Sequence, residues 1–176
     1  MVRKIRIFPD PILREVCEEV DIKNPGEEFF SLVEDLIDTM FAYDGLGLSA
    51  PQIGVKKRVF VVNMGELTGK KGEVKVIVNP EIIYHEGEEV REEGCLSFPD
   101  LYYEIKRPYL CTLKGYELRG KELFPVEITA TGLYARVLMH ETDHLNGVLF
   151  IDYIEPKERV RVLREWKKKT KSGSYT

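Results

Sequence analysis

In the first quarter of the chain, apolar residues recur at intervals of three and four: Phe29, Leu32, Val33, Leu36, Ile37, Met40 and Phe41. That spacing lines them along one stripe of an α-helix, so a long N-terminal helix facing the core is predicted. Asn24-Pro25 offers a capping side chain followed by a proline whose missing N–H costs nothing in a first turn, and Asp44-Gly45 offers a stop. Asp10-Pro11 has the same form of helix start. From Arg58 onward the pattern shortens to β-rich runs, Val59 to Val62, Val74 to Val78, Ile82 to Tyr84, Tyr109 to Leu113 and Glu122 to Thr129, separated by glycine and proline turns. Mostly antiparallel sheet is expected, with Met64 to Gly72 as an exposed hairpin loop. After Gly132 the helical spacing returns through Leu133, Val137, Leu138, His140, Glu141, His144 and Leu145, with Asn146-Gly147 as the stop. Pro156 then opens a closing helix.

This order of elements predicts an α+β fold: one domain over residues 1–176, with antiparallel sheet around a central helix carrying His140-Glu141-Thr142-Asp143-His144, a long N-terminal helix and a C-terminal helix. Length and composition agree, since 176 residues with 43% hydrophobic and 32% charged positions suffice for one sizeable core. No apolar run approaches the roughly 20 residues that cross a bilayer, and Met1 to Pro9 lacks a secretory signal's apolar stretch, so no membrane contact and a cytoplasmic location are expected. Three widely spaced cysteines, Cys17, Cys95 and Cys111, are an odd set in a chain that needs no staples, and disulfides are not expected.

The net charge of −4 conceals an asymmetry. Lys157 to Lys171 holds eight basic residues against Glu158 and Glu165, a local +6, which leaves −10 on the rest. Residues 157–176 therefore read as a basic helix and tail, either with a partner of its own or as a solvated helix with a frayed end.

Chemistry enters at His140-Glu141-Thr142-Asp143-His144, which holds two of the three histidines. Residues i and i+4 lie one helical turn apart and can grip one metal ion, with Glu141 beside them. The alternative, two polar residues on a solvated face, fits poorly with the apolar neighbours Leu133, Val137, Leu138 and Leu145. A catalytic metal needs a third protein ligand and an open position. Downstream candidates are weak, and upstream stand His85 and Cys95. Cys95 is the better ligand because it sits in Glu93-Gly94-Cys95-Leu96-Ser97, where glycine lets the backbone approach a partner. Taken alone it would be one more buried cysteine, like Cys17 and Cys111.

A small-residue loop, Gly45-Leu46-Gly47-Leu48-Ser49-Ala50-Pro51-Gln52, follows the first long helix and could let a substrate backbone lie against the chain. It matches neither phosphate-binding fingerprint. Gln52 is its polar tool, an amide able to donate to a developing oxyanion. Leu133 and Val137 share the His140 face at i−7 and i−3, so an apolar pocket beside the metal is expected, suited to an unbranched side chain. Arg136 shares that side at i−4, and Arg107 could pair with Glu93 or Asp143 behind the ligands.

The three segments, in this order and spacing, resemble peptide deformylases: a glycine-rich loop ending in Gln, then Glu-Gly-Cys-apolar-Ser, then His-Glu-x-x-His. The similarity runs from Asp10-Pro11 to the closing helix, which looks like the bacterial type. The resemblance implies Cys95, His140 and His144 as metal ligands, Glu141 as general acid/base, and Gln52 with the Leu96 N–H as oxyanion donors. It also implies Leu46 and Gly47 as substrate contacts beside Leu133 and Val137. The implied reaction is hydrolysis of the formyl group from the N-terminal formylmethionine of new polypeptides, releasing formate. The implied cofactor is one divalent ion, Fe(II) natively, with Zn, Ni or Co as substitutes. The closing helix resembles a segment that docks on the ribosome, where Lys and Arg would act on RNA phosphate through charge. Ser49, Met139 and Tyr102 depart from the commonest family pattern, which has Ala, Gln and Arg there, and bear on preference past the methionine rather than on reaction class.

Two rival readings differ in kind. A zinc endopeptidase would cut internal peptide bonds, but Cys95 speaks against it; a non-catalytic protein with a closed structural metal site would leave Glu141 idle.

Overall fold

A computed structural model describes residues 1–171, so the tail proposed beyond them lies outside the described residues. The first long helix, α1 (Glu27–Ala42), buries Phe29, Leu32, Val33, Leu36 and Met40 as the stripe predicted, while Phe41 is exposed. It begins two residues after the expected Asn24-Pro25 start, capped by Gly26 at φ 87°, because Asp21 takes the Lys23 and Asn24 N–H groups into a local turn. Asp10-Pro11 does start a helix, a single 3-10 turn over Pro11–Arg14, with the Asp10 carboxylate accepting from the Ile12 N–H.

Five antiparallel strands follow as one sheet: β1 (Gly47–Ser49), β2 (Val59–Asn63), β3 (Val74–Glu86), β6 (Leu110–Arg119) and β7 (Glu122–Thr131), in that spatial order. A second sheet pairs β4 (Glu89–Cys95) with β5 (Phe98–Arg107). The runs from Val74 and from Ile82 are one strand rather than two. Its register slips between Val78 and Glu81 and again between Ile82 and Tyr84, around Pro80, which cannot donate to a ladder, and Asn79 at φ 50°. The loop from Met64 to Gly72 joins β2 to β3 as expected and contains one short turn of helix, α2 (Gly65–Thr68).

Strand β2 shows why the sheet is central. All five of its residues are buried, and the first four alternate between two clusters. Val59 and Val61 pack with α1, whereas Phe60 and Val62 pack with the helix α3 (Gly132–Leu145) on the opposite face. A strand covered on both sides reads as a continuous apolar run, which is what Val-Phe-Val-Val is. A third cluster joins Phe98, Leu101 and Ile105 of β5 to Leu13, to Leu149, Phe150 and Ile151, and to Val162 and Trp166 of the closing helix α4 (Pro156–Lys171). Helix α3 thus lies between the two sheets, touching the large one through Leu138 and Met139 and the small one through Arg136 and His140. Among the described residues no helix is long and apolar enough to cross a membrane.

Candidate active site

Helix α3 is buried along most of its length, so its histidines point into protein rather than water. His140 and His144, one turn apart, bring their Nε2 atoms to 3.2 Å, and the Cys95 Sγ stands 3.3 Å from the His144 Nε2. The three donor atoms all lie within 4.8 Å of one another. Bonds of about 2.0–2.3 Å in a tetrahedral site would set such atoms roughly 3.3–3.6 Å apart, so the cluster has the spread of a metal-binding triad. His85, the other upstream candidate, is exposed on β3, and Cys17 and Cys111 are buried thiols pushed up to about 11 by burial. All three cysteines are free.

The surroundings orient and polarise the side chains of the cluster. The His140 Nδ1 meets the Glu93 Oε2 at 2.6 Å, which assigns a proton to Nδ1 and leaves the Nε2 lone pair for a cation. Burial alone would lower the proton affinity of His140, but Cys95 and Glu93 reverse this and raise its pKa well above the usual value; the same field favours any cation there. Burial lowers His144 well below the usual histidine range, keeping the neutral form that binds metal. Glu93 is itself buried, yet its carboxyl lies well below the usual range because bonds from Arg107 and His140 outweigh burial. Arg107 donates to both Glu93 oxygens at 2.8 Å and to Asp143 at 3.0 Å, making both of the pairings considered from the sequence. Arg136 adds a further bond to Glu93 at 2.9 Å and binds the Ile105 and Glu89 carbonyls. Tyr153 donates to Asp143 at 2.7 Å. The parts of Arg136 and Tyr153 were not foreseen; a lone arginine on an otherwise apolar helix face was the one available signal.

Glu141 lies beside the triad without a partner for its Oε1, and burial raises its pKa to about 7. Gly47 sits directly against it. A Cβ at that position would lie 2.9 Å from the Glu141 Oε2, so the glycine is required for the approach of β1 to α3. Gln52 ends the same loop with its amide locked. Its Oε1 accepts from the Ser49 N–H and hydroxyl, both at 3.0 Å. A backbone N–H can only donate, which fixes the amide the other way round, with Nε2 directed to the Cys95 Sγ at 3.4 Å and the Ser97 Oγ at 3.2 Å. A cavity of about 660 Å3 opens over these groups, lined by Leu46, Gly47, Leu96, Leu133 and Val137. The structure therefore brings Leu46, Gly47, Gln52, Cys95, Leu96, Leu133, Val137, His140 and Glu141 to one cavity, with His144 beside Cys95 and His140, and leaves His85 outside it. A Cys/His/His cluster that could hold a metal, a buried carboxylate, a fixed amide donor and an adjoining cleft are the parts that a metal-dependent hydrolase requires.

Comparison with known proteins narrows the class. The sequence matches the polypeptide deformylase family over residues 2–160. It is 42% identical to the peptide deformylase of Pseudothermotoga lettingae over 166 residues, covering 94% of this chain and 90% of that one. Identity to the enzyme of Thermotoga maritima is 45% over 158 residues, 89% and 90% of the two chains. The crystal structure of a peptide deformylase from Legionella pneumophila superposes with a TM-score of 0.87 at 39% identity, covering 100% of this chain and 99% of that one. The chain belongs to the polypeptide deformylase family, metal-dependent hydrolases that remove the N-terminal formyl group from nascent peptides.

Proposed function

We propose that Cys95, His140 and His144 hold the catalytic metal ion and that Glu141 moves the proton in deformylation. The observation that carries this reading is the convergence of the three donor atoms within 4.8 Å, on the helix that presents the buried carboxylate of Glu141. A divalent cation held there supplies Lewis acidity, which activates water and polarises a carbonyl. Glu141, whose pKa of about 7 makes it both a competent base and a competent acid near neutrality, takes the proton from the attacking water and returns it to the departing amine. The Gln52 Nε2 and the Leu96 N–H donate to the oxygen of the formyl group as it gains charge. Leu133 and Val137 receive the methionine side chain, while Leu46 and Gly47 carry the peptide backbone past Glu141.

Iron(II) is the proposed native ion, with Zn, Ni or Co able to replace it, since one thiolate with two imidazoles suits each of them. The thiolate exposes the site to oxidation, so activity of the iron form should fall on storage in air. The proposed location is the cytoplasm, where new formylated chains emerge, and α4 is proposed to dock on the ribosome. Its Arg164, Lys167 and Lys168 are exposed, whereas Arg161 is engaged with Glu158 and Glu165. Truncation at residue 157 would also remove the buried Val162 and Trp166, so replacing those three exposed cations by glutamine is the cleaner test. Weakened, salt-dependent co-sedimentation with ribosomes supports docking; equal binding by both forms overturns it.

The test of the chemistry is formate release from a formyl-methionyl peptide by protein prepared anaerobically with Fe(II), beside a Glu141→Ala variant. Rapid release that falls by about 10²–10⁴ in the variant is expected. No release with Fe, Ni, Co or Zn, despite one bound ion per chain, would leave a structural metal site as the better reading.

A further inference from the structure

One side chain at the surface is linked to the Cys95, His140 and His144 cluster without touching it. Tyr153 closes the turn Phe150–Tyr153, which is itself held in place. Asp152 of that turn pairs with Arg14 and accepts from the Leu149 N–H, and the buried Phe150 ring lies with its centroid 6.3 Å from that of His140. Tyr153, 48% exposed, then meets two partners at once. Its hydroxyl donates to the Asp143 Oδ2 at 2.7 Å, and the Arg107 guanidinium lies over its ring, 4.7 Å from the centroid.

Arg107 is the next link. It is buried, its Nε and Nη2 donate to the two oxygens of Glu93 at 2.8 Å each, and its Nη1 donates at 3.0 Å to the same Asp143 Oδ2 that Tyr153 holds. Glu93 in turn meets the His140 Nδ1 at 2.6 Å. An unbroken line of hydrogen bonds thus runs from Tyr153 through Asp143, Arg107 and Glu93 to the His140 ring. A guanidinium is a rigid plane, so a tilt at its Asp143 corner is passed to both of its bonds on Glu93. A ring face on the plane and a hydroxyl on its acceptor oppose that tilt. Burial, then the charge of Asp143, push the Tyr153 phenol up to about 12, so near neutrality it keeps the proton that it donates.

We propose that Tyr153 is a positioning residue for the metal site: by holding Arg107 and Asp143 it fixes the bond between Glu93 and His140, and with it the rate at which the ion is released. The inference rests on the assignment of His140 as a ligand and extends the support of that ligand to a residue on a different element. Asp143 stands on α3 between the two histidines, so the bond from Tyr153 also anchors the helical turn that carries both. Partners behind a ligating histidine are worth about 10- to 100-fold in metal affinity, and the outermost of them should lie at the lower end, about tenfold.

The experiment loads the full chain with Zn(II) and follows release of the ion to a chelator from the unaltered protein, from Tyr153→Phe, from Tyr153→Leu and from the control Tyr84→Leu. The control removes a comparably exposed tyrosine from β3. Tyr153→Phe keeps the ring and loses the hydroxyl, so release should quicken by about two- to fivefold. Tyr153→Leu loses both and should release the ion about tenfold faster, with the control unchanged. The NMR signal of the His140 Nδ1 proton gives a second readout, since a proton in a short hydrogen bond resonates downfield, and it should move upfield in both Tyr153 variants. A merely structural Tyr153 would lower Tm without moving that signal. Release that quickens only in step with a lowered Tm, with the proton signal unmoved, overturns the proposal. Equal release from all four proteins overturns it alone, whereas no bound ion in the unaltered protein overturns the ligand assignment with it.

Discussion

Gln52 and Glu141 are held by neighbours that look unremarkable in the sequence. The Ser49 hydroxyl adds a second bond to the Gln52 Oε1, beyond the one its backbone N–H provides. Ser49→Ala should keep the amide's orientation but loosen it, lowering kcat by about two- to fivefold with KM little changed, the loss of one neutral hydrogen bond. Steady-state kinetics on one formyl peptide decides this, and an equal change in KM would mean that Ser49 supports substrate binding instead. Gly47 carries more. Gly47→Ala places a methyl group 2.9 Å from the Glu141 Oε2, so the carboxylate must move. We expect a loss of activity of about 10-fold to 100-fold, as misplacement of a reacting group by an ångström produces, with the thermal transition nearly intact.

At the scale of elements, the contact between α3 and the small sheet is ionic where that between α3 and the large sheet is apolar. Glu93 on β4 receives Arg107, Arg136 and His140 together, so one carboxylate is shared by two buried guanidinium groups, of which Arg107 also meets Asp143, and it orients the His140 ring. Glu93→Gln leaves those cations under-compensated and should destabilise the fold by about 3–5 kcal/mol. It should also weaken metal retention by about 10- to 100-fold, measured by competition with a chelator. Retention equal to that of the unaltered protein would mean that the His140 ring is held by packing alone. A second junction ties the Pro11–Arg14 turn to the turn at Phe150–Tyr153, where Asp152 pairs with Arg14 at 2.6 Å and caps the Leu149 N–H at 2.9 Å. Burial would raise the Asp152 pKa, but Arg14 and the Leu149 N–H lower it below the usual value. A depressed carboxyl pKa stabilises the fold above the unfolded-state value of about 4 and ceases to do so as pH falls below it. Asp152→Asn should therefore cost about 1 kcal/mol at pH 7, and the deficit should narrow toward pH 3 in paired denaturant titrations.

Across the whole molecule, α4 serves as both surface and core. Trp166 donates to the Pro99 carbonyl at 2.8 Å and lies 5.5 Å from Phe98, which meets Phe150 edge-on at 5.2 Å. Trp166→Ala should cost about 3–5 kcal/mol, visible as a lower Tm, while the charge changes on the same helix should leave Tm within about a degree or two. The two apolar-spaced helices, the β2 run and the His140-Glu141-Thr142-Asp143-His144 segment were legible along the chain, because a helical stripe, a doubly covered strand and a one-turn ligand pair each leave a short-range period. The strands β4 and β5 were not, since Glu89 to Cys95 carries Glu89, Arg91, Glu92 and Glu93, and Phe98 to Arg107 holds Pro99 and Asp100 near its start. Their pairing depends on each other and on burial against α3 and α4. The sequence by itself determined which residues could bind metal, move a proton or line an apolar cleft, because those capacities belong to side-chain chemistry and local spacing. Only the tertiary structure decided that Cys95 rather than His85 meets the histidines and that Arg107 and Arg136 share one carboxylate. Those arrangements join residues dozens of positions apart, and packing two sheets around one helix is what brings them within a hydrogen bond's length.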